Sequence, residues 1–344
     1  MRPNKRPTIR DVAVEAGVSK SLVSLVYSSD QGVSPERREK VLAAAAKLGF
    51  TPNPWARSLA TGSANFIGIV VTDLYNPLFI EMADLARQSL TTKGLSALMT
   101  AASTKLVDGQ RILDVNTVES LMDLKPRGLI LIGDVSANEI LRNVPETVPV
   151  IFTTSIPSNQ GRAIVIRGNE NEAMDLIIGH LAELGHKSIA YLGEEFGSVE
   201  EERISSFKKS VADAKLKSIF ASAERSEAAG YAAAKKILKL KAAPTALVCF
   251  NDLVAIGAQE AIIEKQQSTG QKTALVGYDN TYFSALNRVS ITSVEQGKAA
   301  IAAKAAELLT DKVSLEKAKG KTITVHPTLE IRASTISVNL TESE

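Results

Sequence analysis

The side chains that could do chemistry in this 344-residue chain do not form a recognisable catalytic set. Its three histidines, His180, His186 and His326, have no second histidine or cysteine at metal-ligand spacing. None of the motifs G-x-S-x-G, P-loop or G-x-G-x-x-G occurs. The single cysteine, Cys249, lies in an apolar run and is expected to be buried and unreactive. We therefore expect no enzymatic activity, no metal and no cofactor.

The N-terminal region offers a different chemistry, because it concentrates positive charge. Residues 1–60 contain ten Lys and Arg against five Asp and Glu, whereas the remaining residues contain 30 against 33. A basic segment on a slightly acidic body indicates a polyanionic partner for that segment alone. No signal peptide is visible and no apolar run is long enough to span a membrane, so we expect a cytoplasmic protein.

Three short helices are predicted to position the basic head. Thr8 and Asp11 match a variant capping box for the first helix, and Gly17 can end it. Ser19 can cap the second helix, and a third is expected within 34–49. Helices separated by a glycine turn describe a helix-turn-helix, whose second helix enters the major groove of DNA. A small helical bundle with solvated charges is the alternative.

A short segment after the head is also predicted to be helical. Asn53 begins a capped, proline-started stretch of about two turns that ends near Ala60. So short a helix is unstable alone in water, because nucleation costs more than a few hydrogen bonds return. The segment therefore needs a partner on which to fold.

Residues 8–62 resemble the DNA-binding head and hinge of the LacI family of bacterial transcriptional regulators. The resemblance rests on the stretches TIRDVAVEAGVS, VSPERREKVLAAAAKLGFTPN and ARSLATG, which have the spacing of that family. It implies that the hinge helices of two subunits pair in the minor groove, where Leu59 wedges between central base pairs. The alternative for Leu59 is that it packs the linker against the body.

The resemblance also implies which head and hinge residues contact DNA. Lys20 and Ser21 fall on base-reading positions, and so does Leu25, where many members of the family have arginine. Because that guanidinium is missing, the operator sequence cannot be copied from relatives. The other expected DNA contacts, to phosphates or from the hinge, are Thr8, Ser19, Ser24, Ser28, Asn53, Ala56 and Leu59.

From residue 63 onward, short apolar runs alternate with helical patterns. The runs are continuous, as expected for strands that are buried on both faces. Strand and helix in alternation predict an α/β fold with doubly wound parallel sheets, and the strands are too many for one ordinary sheet, so two lobes are expected. The runs are FIGIVV (66–71), LSALMT (95–100), GLILIG (128–133), PVIFTT (149–154), SIAYLG (188–193), ALVCFN (246–251) and ALVGYD (274–279).

This body resembles the periplasmic-binding-protein-like core of the same family in the motifs NPLF, HLAELGHKSIAYLG, FNDLVAIGA and VGYDN. The resemblance implies a helix-turn-helix head at 1–51, a hinge at 52–62, an effector-binding and dimerisation core at 63–338 and a tail at 339–344. Within the core the chain is expected to cross between lobes near residues 162, 291 and 320. Lobe one then holds 63–162 and 292–320, and lobe two holds 163–291 and 321–338.

The cleft between the lobes is the expected effector site, because ligands bind at the carboxyl ends of parallel strands. Arg203 and Asp252 match ligand-contacting positions of the family, and a guanidinium and a carboxylate across a cleft can hold sugar hydroxyls. Alternatively, Asp252 caps a helix and Asn76 is a turn residue before Pro77. The expected effector contacts are Asp73, Asn76, Asp134, Arg203, Asn251, Asp252, Tyr278 and Gln296.

Together these features predict a homodimeric, sequence-specific DNA-binding regulator. We expect a repressor that binds a near-palindromic operator in double-stranded DNA and is controlled allosterically by a small polar effector, a sugar or a sugar-derived metabolite. Two alternatives stay open at this point, a sugar-binding transport receptor built on the same core and a sugar-modifying enzyme.

Overall fold

A computed structural model describes residues 7–28, 32–51, 66–107, 110–133, 137–154, 160–195 and 197–336. The chain divides into two compact units, Met1–Ala64 and Asn65–Glu344. The predicted hinge at 52–62 and tail at 339–344 lie outside the described residues. Within the described part of the chain, no helix is long and apolar enough to cross a membrane.

The first unit is a small helical head with its own apolar core. Val12, Val23 and Val41 are completely buried, one from each helix. The predicted helix start is present, because Thr8 N donates to Asp11 Oδ2 at 2.7 Å. Gly17 ends the first helix with φ +62°, a left-handed conformation that favours glycine. The helices are α1 (Ile9–Ala16), α2 (Lys20–Ser28) and α3 (Pro35–Leu48).

The second unit contains two lobes, each built on a six-stranded sheet within the described ranges. All neighbouring strands of the first sheet are parallel, as predicted. Its strands in spatial order are β13 (Thr322–Val325), β7 (Ile164–Gly168), β6 (Val150–Thr153), β5 (Gly128–Ile132), β1 (Phe66–Val71) and β2 (Ser96–Ala101). A separate antiparallel hairpin is formed by β3 (Thr104–Val107) and β4 (Gln110–Leu113).

The second sheet is parallel except at one edge, where β14 runs antiparallel to β12. The central strands β10 and β11 are buried along their whole length, which explains their continuous apolar sequences. In spatial order the strands are β14 (Thr328–Glu330), β12 (Thr292–Glu295), β11 (Ala274–Tyr278), β10 (Ala246–Cys249), β8 (Ser188–Gly193) and β9 (Lys217–Ser222).

Helices connect successive strands and cover the sheets. Many begin at a polar side chain that accepts a backbone N–H, as Asn169 does from Glu172 N at 3.3 Å. The helices of this unit are α4 (Pro77–Thr92), α5 (Val115–Asp123), α6 (Ala137–Arg142), α7 (Glu170–Glu183), α8 (Ser198–Asp213), α9 (Glu227–Ile237), α10 (Asp252–Thr269), α11 (Lys298–Thr310), α12 (Lys312–Ala318) and α13 (Ala333–Ile336).

The predicted lobe boundaries need correction, because each crossing lies about five residues further along the chain. The predicted crossings near 162, 291 and 320 each precede a short strand. β7 and β13 belong to the first sheet, and β12 belongs to the second. The chain therefore crosses after 168, after 295 and after 325, at the carboxyl ends of these strands.

Two helices of the second lobe approach each other closely at a pair of glycines. A Cβ atom at Gly257 in α10 would lie 1.8 Å from Glu227 O, and one at Gly230 in α9 would lie 2.2 Å from Val254 O. Neither neighbour is a flexible side chain, because both are backbone atoms. The packing of α9 on α10 therefore requires glycine at both positions.

We expect Gly257→Ala to lower the free energy of unfolding by about 1–3 kcal/mol, because the added methyl group separates α9 from α10. Gly179→Ala is the matched control, since Gly179 also lies within a helix but a Cβ there meets nothing within 4 Å. That control should be neutral or stabilising by about 0.5–1 kcal/mol. Urea unfolding of both variants measures the difference, and equal effects would contradict the close approach.

Candidate functional site

A cavity lies between the two lobes, at the carboxyl ends of their strands. It contains about 460 Å³ of empty space, part of it open to solvent. Its described walls come from both lobes and from the crossover after β12. They consist of Asn76, Leu78, Phe79, Thr154, Arg167, Glu170, Val199, Arg203, Arg225, Phe250, Asp279 and Gln296.

The second-lobe wall is organised by a buried ion pair. Arg203 Nε and Nη2 donate to the two carboxylate oxygens of Glu170 at 2.9 and 3.0 Å, and Arg203 Nη1 donates to Phe250 O at 2.6 Å. Tyr278 OH donates to Glu170 Oε2 at 2.8 Å. Burial alone would lower the pKa of Arg203, but the Glu170 carboxylate raises it above its ordinary value. Arg203, predicted as an effector contact, therefore lines the cavity as a fixed cation.

Aromatic rings hold the guanidinium groups in place. The Cζ atom of Arg203 lies 3.6 Å from the ring centroid of Tyr278 and 4.6 Å from that of Phe250. A second guanidinium, that of Arg225, lies 4.9 Å from the same Phe250 centroid. Cations over aromatic faces are attracted by the ring quadrupole, so Phe250 stabilises two of the charged groups in the wall.

Asp279 is a cavity residue that sequence reasoning missed. It is 3% exposed, has φ +100° and accepts a hydrogen bond from Gln296 Nε2. Burial raises the pKa of its carboxyl to about 8, so this group is largely protonated at neutral pH. A signal was available, because Asp279 is the first residue after β11 in the motif VGYDN.

Two predicted contacts, Asn76 and Gln296, do line the cavity. Asn76 is buried and its Oδ1 accepts from Leu78 N at 3.1 Å, so it also caps α4. Its alternative interpretation as a local structural residue before Pro77 therefore holds as well. Gln296 is buried at the second crossover, where its amide meets Asp279. The cavity thus brings together Asn76, Arg203 and Gln296 from the predicted set.

Asp252 occupies a different place from the one predicted. Its buried carboxylate accepts from Thr281 N at 2.7 Å, Thr281 Oγ1 at 2.8 Å and Ser293 Oγ at 2.6 Å. Asp252 is not among the residues of the described cavity wall, and its helix-cap alternative is wrong, because the cap of α10 is Asn251, whose Oδ1 accepts from Val254 N at 3.0 Å. These hydrogen bonds fix the segment that carries Asp279.

The remaining predicted contacts also lie off the cavity wall or outside the described residues. Asn251 caps α10, and Tyr278 lies beneath Arg203 with its hydroxyl on Glu170. Asp73 is exposed and accepts from Tyr75 N at 2.8 Å. Asp134 lies outside the described residues.

Two further arginines at the cavity were not predicted. Arg167, near the end of β7 in the first lobe, donates through Nη2 to Glu202 Oε1 and Oε2 at 2.7 and 2.9 Å. Glu202 belongs to α8 of the second lobe, so this ion pair bridges the cleft. Arg225 pairs with Glu200, and its Nε lies 3.3 Å from Glu194 Oε2. Neither arginine lies in or next to a strand that the sequence analysis predicted from its continuous apolar runs.

The head presents its predicted base-reading residues on one helix. Lys20, Ser21, Ser24 and Leu25 are exposed on α2, with Leu25 at 37%. Thr8 and Ser19 are exposed at helix starts, where Thr8 Oγ1 donates to Asp11 and Ser19 Oγ accepts from Leu22 N. Asn53, Ala56, Leu59 and the side chain of Ser28 lie outside what the structure describes.

Comparison with known proteins finds matches to both units. Residues 8–53 match the family described as bacterial regulatory proteins, lacI family, and residues 178–335 match a periplasmic binding protein-like domain. The HTH-type transcriptional repressor PurR of Mannheimia succiniciproducens is 30% identical over 335 residues, which is 95% of this chain and 98% of that protein. Catabolite control protein A of Priestia megaterium is 27% identical, over 95% of this chain and 99% of that protein.

Among solved structures, the lac repressor dimer bound to operator and the anti-inducer ONPF has a TM-score of 0.81 and 26% identity. The match covers 96% of this chain and 99% of that one. The predicted α/β architecture with a helical head is therefore confirmed. PurR and the lac repressor are named as repressors and not as enzymes.

The buried carboxyl of Asp279 predicts a pH dependence of stability. Because its pKa is raised to about 8 in the folded chain, the folded state keeps a proton that the unfolded state loses near pH 4. The free energy of unfolding should therefore fall as pH rises between these values and level off above about 8.

Asp279→Asn removes this contribution. We expect the variant to gain more than about 1 kcal/mol relative to the parent protein between pH 5 and pH 8, measured by urea unfolding at each pH. Asp73→Asn, at an exposed carboxylate, is the matched control for removing a charge. A difference between Asp279→Asn and the parent that stays constant with pH would contradict the assignment.

Proposed function

We propose how this chain works from one premise, that it belongs to the LacI family of DNA-binding transcriptional regulators. Exposed residues of α2 read an operator, and the cavity between the lobes binds the controlling effector. The regulator function predicted from the sequence is confirmed, and the transport-receptor alternative is not favoured. The observation that carries the proposal is one chain holding both a helix-turn-helix head and a polar cavity between two lobes. We also propose that it acts in the cytoplasm as a non-enzymatic regulator.

The proposed DNA-reading surface is the exposed side of α2. In a helix-turn-helix the second helix enters the major groove, and here that helix presents Lys20, Ser21 and Leu25 to solvent. Lys20 can donate to guanine, Ser21 to several base edges, and Leu25 can contact a thymine methyl group. Thr8, Ser19, Ser24 and Ser28 are assigned to phosphates, and Asn53, Ala56 and Leu59 to the hinge contacts.

We propose that the protein acts as a homodimer on a near-palindromic operator, as a two-fold protein requires. Exposed apolar side chains of the second unit support a partner surface. Tyr75 is 91% exposed and Tyr282 is 59% exposed. Tyr282 N donates to Glu81 Oε1 at 2.8 Å, so α4 and the segment after β11 are adjacent there. Large apolar side chains exposed on neighbouring segments are typical of protein interfaces.

The proposed effector is a small polar molecule that contacts both lobes. Asn76 and Arg167 line the cavity from the first lobe, and Arg203 and Asp279 line it from the second. A ligand that touches both walls favours one interlobe angle over others, which is the differential binding that allosteric control needs. Coupling between effector and operator is then reciprocal.

The test is selection of bound fragments from genomic DNA, followed by titration of the selected operator with head variants. We expect Lys20→Ala to relax preference at one base position by about 1–3 kcal/mol, because a base-edge contact is lost. Ser24→Ala should weaken all sequences about evenly, because a phosphate contact carries no sequence information. Lys93→Ala, an exposed lysine in the second unit, is the charge-matched control.

Failure to select any preferred fragment would contradict the proposed function. The opposite pattern, with even weakening by Lys20→Ala and altered base preference by Ser24→Ala, would mean that another side of α2 faces the bases.

A further inference from the structure

The described cavity wall is unusually rich in guanidinium groups. Arg167, Arg203 and Arg225 all line it, and they come from the first lobe, from α8 and from the connection between β9 and α9. These cations are not equivalent, because their partners leave different groups available to a ligand.

Arg203 is committed to the wall itself. Three of its N–H groups donate to Glu170 and to Phe250 O, and its side chain is 4% exposed. A buried ion pair of this kind is costly to break, because removing either partner strands the other charge. Arg203 therefore forms part of the cavity wall, and a ligand cannot easily displace its partner Glu170.

Arg167 is held differently. Only its Nη2 reaches Glu202, while its Nη1 is buried and has no hydrogen-bond partner among the described residues. A buried donor without an acceptor costs free energy until something satisfies it. Glu202 is 29% exposed, so water can replace Arg167 at its carboxylate when the pair opens. Arg167 thus offers one unsatisfied donor and a second that can be exchanged.

The acidic groups around the cavity are arranged so that positive charge faces inward. Glu200 and Glu202 pair with Arg225 and Arg167, but only the two arginines are among the lining residues. Of the carboxyl groups in the described wall, Glu170 is bound by Arg203 and Tyr278. The other, Asp279, has a pKa raised to about 8 by burial and is mostly neutral at pH 7.

We propose that the effector carries an oxyanion, a carboxylate or a phosphate, that binds between Arg167 of the first lobe and Arg225 of the second. The inference rests on the proposed function and narrows its ligand from a polar molecule in general to an acidic one. Guanidinium groups bind carboxylate and phosphate with two parallel hydrogen bonds, which neutral hydroxyls do not match. The apolar side chains Leu78, Phe79 and Val199 leave room for an uncharged body on the same ligand.

The proposed contact also explains how binding alters the lobes. In the structure, Glu202 bridges Arg167 to the second lobe. An oxyanion that binds both Arg167 and Arg225 displaces Glu202 from Arg167. The two lobes are then joined through the ligand and no longer through Glu202. The ligand therefore exchanges one interlobe contact for another with a different geometry.

The test measures binding of two simple oxyanions, inorganic phosphate and acetate, to the full-length protein by calorimetry at constant ionic strength set with chloride. The two arms distinguish a phosphate site from a carboxylate site, and D-glucose serves as the neutral probe. We expect saturable binding of at least one anion. Arg167→Gln should weaken it about tenfold or more, because a charge-assisted hydrogen bond is lost.

Glu202→Gln provides a change of opposite sign. It removes the carboxylate that competes for Arg167, so anion binding should tighten by about threefold to tenfold. Arg87→Gln is the matched control, since Arg87 pairs with Asp84 on the exposed side of α4. It should leave anion binding unchanged.

The proposal is overturned if neither anion binds the parent protein, if Arg167→Gln binds as well as the parent, or if Glu202→Gln does not tighten binding. Binding of glucose alone would overturn it too. Operator binding by the same preparations is measured alongside. Intact sequence-selective DNA binding without an anion site would refute only this inference, whereas anion binding without selective DNA binding would refute the proposed function.

Discussion

The arrangement of the cavity depends on one interaction, the buried ion pair between Glu170 and Arg203. It joins the start of α7 to α8, and through Phe250 O and Tyr278 OH it joins both helices to the ends of β10 and β11. Breaking such a pair by removing one partner costs about 3–5 kcal/mol, because the remaining charge is left uncompensated. Three of the Arg203 donors are engaged by this framework. The carboxylate and guanidinium expected from the sequence to hold a ligand are thus found bound mainly to the protein.

Two aspartates close to this framework show how long-range contacts decide a role. Asp252 accepts hydrogen bonds from Thr281 and Ser293, which satisfies its carboxylate away from the cavity. Asp279 lies at φ +100°, a conformation that non-glycine residues adopt only under constraint. Lys298 Nζ supplies part of that constraint by donating to Asp279 O at 2.9 Å. The strained backbone therefore places Asp279 at the cavity because the residues around it hold the segment on both sides.

The sequence predicted most accurately what local rules determine. The caps of the head helices and the strands predicted from continuous apolar runs were placed within one or two residues, but β2 is partly exposed and not buried on both faces as expected. The sequence analysis missed the strand β7, because Ile164–Gly168 includes an arginine. It therefore also missed the crossing after 168 and the position of Arg167 at the cavity. The placement of Asp252 away from the cavity could not be predicted, because its hydrogen-bond partner Ser293 lies 41 positions from it in the sequence. Asp252 follows Asn251, and Asp279 follows the last residue of β11. Only their tertiary contacts determine which of the two lines the cavity.

The contacts across the cleft differ from the framework in how easily they exchange. The side chains of Glu170 and Arg203 are 5% and 4% exposed, whereas those of Glu202 and Glu81 are 29% and 24% exposed. A pair with a partly exposed carboxylate is weaker than the fully buried one, because water competes for that carboxylate. Glu81 of the first lobe accepts from Tyr282 N of the second, and Glu202 of the second lobe binds Arg167 of the first, so partly exposed carboxylates bridge the cleft at two places. A small ligand can therefore replace the contacts of Glu202 or Glu81 across the cleft without disturbing the buried Glu170–Arg203 pair. A lobe that keeps its internal structure while its contacts across the cleft exchange moves as a rigid body.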